Sequence, residues 1–160
     1  MQTSVINRLV AAIALAVAVA LSVPALAGPE DDIAAVTEEW AKAYAEHNVE
    51  KVFAFYSKDA MMWGTNGLTL RTTPAEIRQF LEDTFKIPNL RVTFDSKSIR
   101  VFGNVAVVAG NYTFDAGSTD REQSSLARYS FTFLKDGDRW LIIEHHSSPM
   151  PLPRGGTRRT

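Results

Sequence analysis

Between Pro29 and His47 the apolar side chains Ile33, Val36, Trp40 and Tyr44 recur at steps of three and four residues, with charged residues between them. That spacing lays one apolar stripe along an α-helix. Glu30, Asp31 and Asp32 fall in its first turn, where the helix dipole favours acids. A second short helix follows in "NVEKVFAFYSKDA", with Asn48 as its N-cap and Val49, Val52, Phe53 and Tyr56 on its buried stripe. "AMMW" and "GLTLR" read as short strands around a turn from Gly64 to Gly67. In "TPAEIRQFLEDTF" Thr73 caps a third helix, Pro74 takes the first helical position and Glu76 closes a capping box. Its inward residues are Ile77, Phe80, Leu81 and Phe85.

Beyond Pro88 the pattern turns from helical to alternating. "LRVTFDSKSIRVF", "VAVVAGNYTFD", "SLARYSFTFLK" and "RWLIIEHHS" are β-rich runs, separated by Gly103-Asn104, a Gly-Ser-Asp loop and Asp136-Gly137-Asp138. This is the pattern of an antiparallel meander. Helices first and long strands after predict an α+β fold, three N-terminal helices packed on one face of a strongly curved sheet.

The ends carry a different composition. Arg8, the apolar run from Leu9 to Val23, and Ala25-Leu26-Ala27 make residues 1–27 a secretory signal peptide, so a periplasmic or secreted location is expected. An uncleaved leader would instead act as a membrane anchor. Residues 28–151 then form one domain, and residues 152–160, with Arg154, Arg158, Arg159 and two glycines, form a disordered basic tail. No cysteine is present, so packing alone must hold the fold. With 17 Lys and Arg against 18 Asp and Glu, the chain shows no electrostatic footprint for nucleic acid.

The remaining chemistry concentrates in "EHHSSPMP", Glu144 to Pro151. Adjacent strand residues point to opposite faces, so His145 and His146 cannot share an ion, and no metal site is expected. Ser147 and Ser148 lack the strand-to-helix elbow of a serine nucleophile.

The order of elements, together with "AKAYAEHNVEKVFAFYSKDA", "VFGNVAVVAGNYTF" and "DGDRWLIIEHHSSPMP", resembles the nuclear transport factor 2-like superfamily, a cone-shaped fold shared with ketosteroid isomerases and SnoaL-like cyclases. Within it the chain is most similar to the association domain of calcium/calmodulin-dependent protein kinase II and its stand-alone bacterial relatives. The resemblance implies that Arg128 points into the cone with Ser130, Thr132, His145 and Ser147, joined by Tyr112. Trp63 would line the cavity with Trp40, Tyr44 and Phe80. Arg128 would receive a small carboxylate or pair with an internal acid such as Asp59. Asp59 is also a candidate general base of the isomerase type, and otherwise a capping or turn residue; His145 is a second catalytic candidate.

With that parity Tyr129, Phe131, Phe133, Trp140 and Ile142 would face outward, an apolar surface that a second subunit must cover. Two functions are therefore expected. One is an exported, oligomerising domain with a small-molecule pocket; the other is an enzyme using general acid/base catalysis on a small apolar substrate. No cofactor is expected, no nucleic acid, and no membrane after cleavage.

Overall fold

In the computed structural model, residues 28–118 and 121–151 are described, with the side chains of Ser118, Arg121 and Glu122 excepted. The leader and the basic tail lie outside them. Helix α1, Pro29–Ala45, buries Ile33, Thr37, Trp40, Ala41, Ala43 and Tyr44. Asp31 accepts the Gly28 N–H at 2.8 Å at its start. Val36 is only half-buried, beside the stripe rather than on it. Helix α2 is shorter than its pattern suggests, Val49–Phe53, with Asn48 accepting from the Lys51 N–H as its cap. The chain then enters strand β1, Tyr56–Trp63. "YSKDA" is therefore strand and not helix. Helix α3, Pro74–Thr84, keeps the expected cap, with Thr73 accepting from Glu76 N–H and Glu76 reaching back to Thr73 N–H.

Strands β2, Arg91–Phe94, and β3, Ser98–Phe102, come from a single β-rich run broken by a corner at residues 95–97. Both pair with β4, Val105–Ser118, which pairs with β5, Arg121–Asp136, and β5 with β6, Arg139–Pro149. Strand β1 closes the order by lying parallel to β6. The result is a mixed six-stranded sheet, antiparallel apart from that edge. "GLTLR" forms no strand of its own and contributes one bridge, Met62 to Arg71.

The corner between β2 and β3 crosses directly over Gly110. Asp95 and Ser96 N–H both donate to Asn111 O, at 3.0 and 3.2 Å, and the Tyr129 hydroxyl donates to Ser96 O at 3.1 Å. A Cβ on Gly110 would sit 1.9 Å from Ser96 O. Backbone cannot rotate away as a side chain can, so Gly110→Ala is expected to lower stability by about 1–3 kcal/mol. A urea unfolding midpoint equal to wild type would show that the corner is looser than this.

Side-chain parity on β5 is the reverse of that implied by the resemblance. Ala127, Tyr129, Phe131 and Phe133 are buried against the helices, Phe131 and Phe133 completely, while Arg128 is exposed and Ser130 and Thr132 lie half-covered on the outer face. Burial decides it: a strand offering three aromatics on one side and Arg, Ser and Thr on the other turns the aromatics toward the core. On β6 the parity changes within the strand. Thr132 pairs with Glu144 but Phe133 pairs with Ile142, so Ile143 is an extra residue. That bulge lets Trp140 and Ile142 face inward and also His145 and Ser147, three residues further on. The surface formed by Tyr129, Phe131, Phe133, Trp140 and Ile142 is therefore the core of the protomer and not an interface.

Candidate functional site

His145 and His146 do separate to opposite faces, the first buried and the second exposed. Among the described residues no cluster of His, Asp and Glu could hold a metal ion. The His145 ring is enclosed by Phe131 at 4.5 Å, Trp40 at 5.6 Å and Tyr56 at 6.2 Å between ring centres. Such surroundings penalise the imidazolium, and burial pulls the His145 pKa down to about 3. The ring is thus neutral at physiological pH. Tyr56 is brought in by the switch of its segment from helix to strand, and its hydroxyl lies 2.8 Å from His145 Nδ1.

Burial holds the Tyr56 phenol protonated, far above its ordinary range. Its hydroxyl makes no other hydrogen bond among the described residues, and the Nε2-protonated tautomer is the one that gives the O–H an acceptor, at Nδ1. Nε2 is buried with no partner. The Trp40 indole N–H is close enough to Tyr56 to favour its ionised form against the effect of burial, yet makes no bond of hydrogen-bond geometry. Tyr112, fully buried, is in the same condition: its hydroxyl stands by Ser147 and Thr65 without a bond to either, and burial pushes its pKa to about 12. Ser147 and Thr65 hydroxyls bond to each other. Strand β4 supplies Tyr112, β6 supplies His145 and Ser147, α1 supplies Trp40, and the loop after β1 supplies Thr65.

Thr65 also lines a cavity of about 910 Å³ at the mouth of the cone, between α3, the loop after β1 and the start of β5. Its apolar wall includes Tyr44, Phe80, Leu90 and Phe114, and Arg71 and Glu76 stand among its polar residues. Phe114 meets Tyr112 edge-on at 4.7 Å, so the unpaired Tyr112 hydroxyl belongs to the layer behind this wall. Arg71 lies over the Phe80 ring at 4.2 Å. Phe80 itself packs against bare backbone at Gly64, where a Cβ would come within 2.5 Å of the ring. The volume is that of a small-molecule site, and the lining is mixed, since Asn66, Thr69, Gln79 and Asp83 add to the polar groups of Arg71 and Glu76.

Of the residues expected here, Tyr112, His145 and Ser147 come together inside the cone, with Trp40, Tyr44 and Phe80 near them. Arg128, Trp63 and Asp59 do not join them, nor do Ser130 and Thr132 on the outer face. Arg128 is exposed on the outer face of the sheet. Trp63 lies 39% exposed on the outside, opposite His146. Asp59 is exposed and pairs with Lys58 at 2.6 Å; it has neither the burial nor the neighbours of a general base. Tyr56, Thr65, Arg71 and Phe114 were not expected. Tyr56 was hidden by its place in a helix-like stripe, while Thr65 and Arg71 belong to a loop whose path the residue pattern does not specify.

A model of the SnoaL-like domain matches residues 33–153. The chain belongs to this family. A protein from Xanthomonas campestris assigned as a calcium/calmodulin dependent protein kinase II association domain is 30% identical, over 81% of this chain and 93% of that one, with a TM-score of 0.72. An assigned dehydratase of the NTF2-like family from Streptomyces avermitilis has a TM-score of 0.71 at 12% identity, over 77% of this chain and 96% of its own. A ketosteroid isomerase-like protein from Erwinia carotovora atroseptica reaches 0.68 at 14% identity, over 79% and 100%. At those identities the last two show the shared fold alone. No curated protein matches the chain. The SnoaL-like domain thus has the α+β, nuclear transport factor 2-like architecture with a curved, unclosed sheet.

Proposed function

We propose that this SnoaL-like domain is an exported, self-associating binding protein whose cone holds a small, mostly apolar ligand bearing a hydrogen-bond acceptor. The observation that carries the reading is the Tyr112 hydroxyl, buried without a partner next to Thr65, which lines the cavity. Unmade buried hydrogen bonds are costly, and a ligand oxygen would relieve that cost. A carboxylate-bearing ligand would find its cation in Arg71 at the rim, not in Arg128. Export rests on the leader pattern. Self-association rests on the relative assigned as an association domain and on the outer sheet face, which exposes Met61, Trp63 and Leu126 beside half-buried Ile143.

An isomerase-type enzyme is less well supported. No Asp or Glu is among the buried residues described, and a histidine with a pKa near 3 is a weak base.

Native mass spectrometry of protein purified from its own host reads all three parts at once. The expected species begins at Gly28, is a multiple of that mass, and carries a retained small molecule. Tyr112→Phe is expected to keep the fold and weaken that ligand about tenfold, the worth of one hydrogen bond. A wild type that retains nothing, and is stabilised by no ketone, phenol or carboxylate in a thermal-shift panel, would overturn the binding reading.

A further inference from the structure

A second cavity lies at the β5–β6 turn, the opposite end of that hairpin from the mouth of the cone, and shares no residue with the first. Its volume is about 640 Å³, and it runs between α1, the end of α2 and the start of β6. Small residues make the depression: Ala35 and Ala43 on α1, and Ala54 just after α2, with Val36, Phe55 and Trp140 as larger apolar walls. Trp140 is 7% exposed, and its indole N–H is buried without a partner. Phe55 cannot serve it through its carbonyl in the ladder direction, since that oxygen already accepts from Ile142 N–H at 2.8 Å.

We propose that this groove is a second binding site, for an uncharged small molecule carrying a carbonyl oxygen. The apolar walls and the volume suit a small organic ligand. The missing partner of Trp140 is an acceptor, because an indole nitrogen can only donate. The rim gives a free anion no net attraction: Asp32, Glu39 and Asp138 balance Lys51, Arg139 and Lys135, which lies over the Trp140 ring at 5.6 Å, and Lys51 is already paired with Glu46. A neutral amide or ketone meets the donor without the desolvation cost that an unpaired carboxylate would carry into an apolar groove. This site is independent of the ligand proposed for the cone.

The test uses the indole N–H signals of the three tryptophans in the ¹⁵N-labelled protein, with Trp140→Phe identifying that of Trp140. Titration with acetanilide, a neutral aryl amide, is expected to move the Trp140 signal saturably and leave those of Trp40 and Trp63 in place. Ala54→Leu, which fills the groove, should weaken the shift about tenfold or abolish it, and so should Ala35→Leu, which keeps the test valid if one variant folds poorly. Benzoate should bind about tenfold more weakly than acetanilide. A Trp140 signal unmoved at millimolar acetanilide, movement of Trp40 alone, or shifts that survive in both filled variants would overturn the site. Benzoate binding as tightly as the amide would overturn the ligand class.

Discussion

Phe131→Asp is expected to abolish cooperative folding, whereas Arg128→Asp, three residues earlier on the same strand, leaves the protein folded. Phe131 is fully buried and packs against Trp40, Phe133 and His145 at ring distances of 5.2, 5.8 and 4.5 Å. Truncating such a phenylalanine costs about 3–5 kcal/mol through lost burial and the cavity left behind. A carboxylate in its place adds an unpaired charge that the surrounding rings cannot solvate. Together these approach the whole stability of a domain, about 5–15 kcal/mol. Arg128 stands in water on the opposite face, where substitutions cost little. Far-ultraviolet circular dichroism and a thermal melt of the two variants decide the matter. A folded Phe131→Asp with a smaller assembly would mean that the aromatics face outward after all.

Acidification from pH 6.5 is expected to destabilise the protein, with His145 as the largest single contributor. Its folded pKa is depressed from 6.5 to about 3 by burial. Above pH 6.5 the ring is neutral in both states and the full stability is present. Below it the unfolded chain takes up a proton that the folded chain refuses. Stability then falls by about 1.4 kcal/mol per pH unit, or roughly 4–5 kcal/mol by pH 3. Glu144 acts in the opposite sense, because half-burial on the outer face raises its carboxyl pKa and lets the folded state bind its proton more readily. Urea unfolding of the wild type and His145→Gln between pH 6.5 and 5 isolates the histidine from most carboxylates. The variant, which keeps an acceptor for the Tyr56 hydroxyl, should start less stable at pH 7.5 and lose the slope. An unchanged slope would place the acid sensitivity elsewhere.

Much of the architecture is legible in the order of residues. The stripe from Ile33 to Tyr44, the Thr73-Pro74-Glu76 cap and the alternating runs after Pro88 each state a local preference, and local preferences of this strength survive in the fold. The separation of His145 from His146 follows in the same way, from the two-residue period of a strand. The membership of Tyr112, His145 and Ser147 in the interior was anticipated as well, though from resemblance and not from pattern.

Other features depend on contacts that no local pattern contains. Tyr56 sits on a plausible helical stripe, yet pairing of β1 with β6 pulls its segment into the sheet and sets its hydroxyl on His145. Arg128 followed the resemblance inward on paper, while its own strand, with Tyr129, Phe131 and Phe133 alternating against it, already favoured the outside. There the residue pattern was the better guide, because burying three aromatics outweighs any positional analogy. The bulge at Ile143 is different in kind. It reverses the parity of β6 between Ile142 and His145, and it exists only because β5 and β6 must stay paired on both sides of it. The sequence alone determined the helices Pro29–Ala45 and Pro74–Thr84, the start of the short helix between them, the alternation of the long strands and the separation of the histidines, since these depend on neighbours a few residues away. The tertiary structure alone decided which hydroxyls and ring nitrogens meet inside the cone, since their spacing is set by strand pairing across as many as 89 residues.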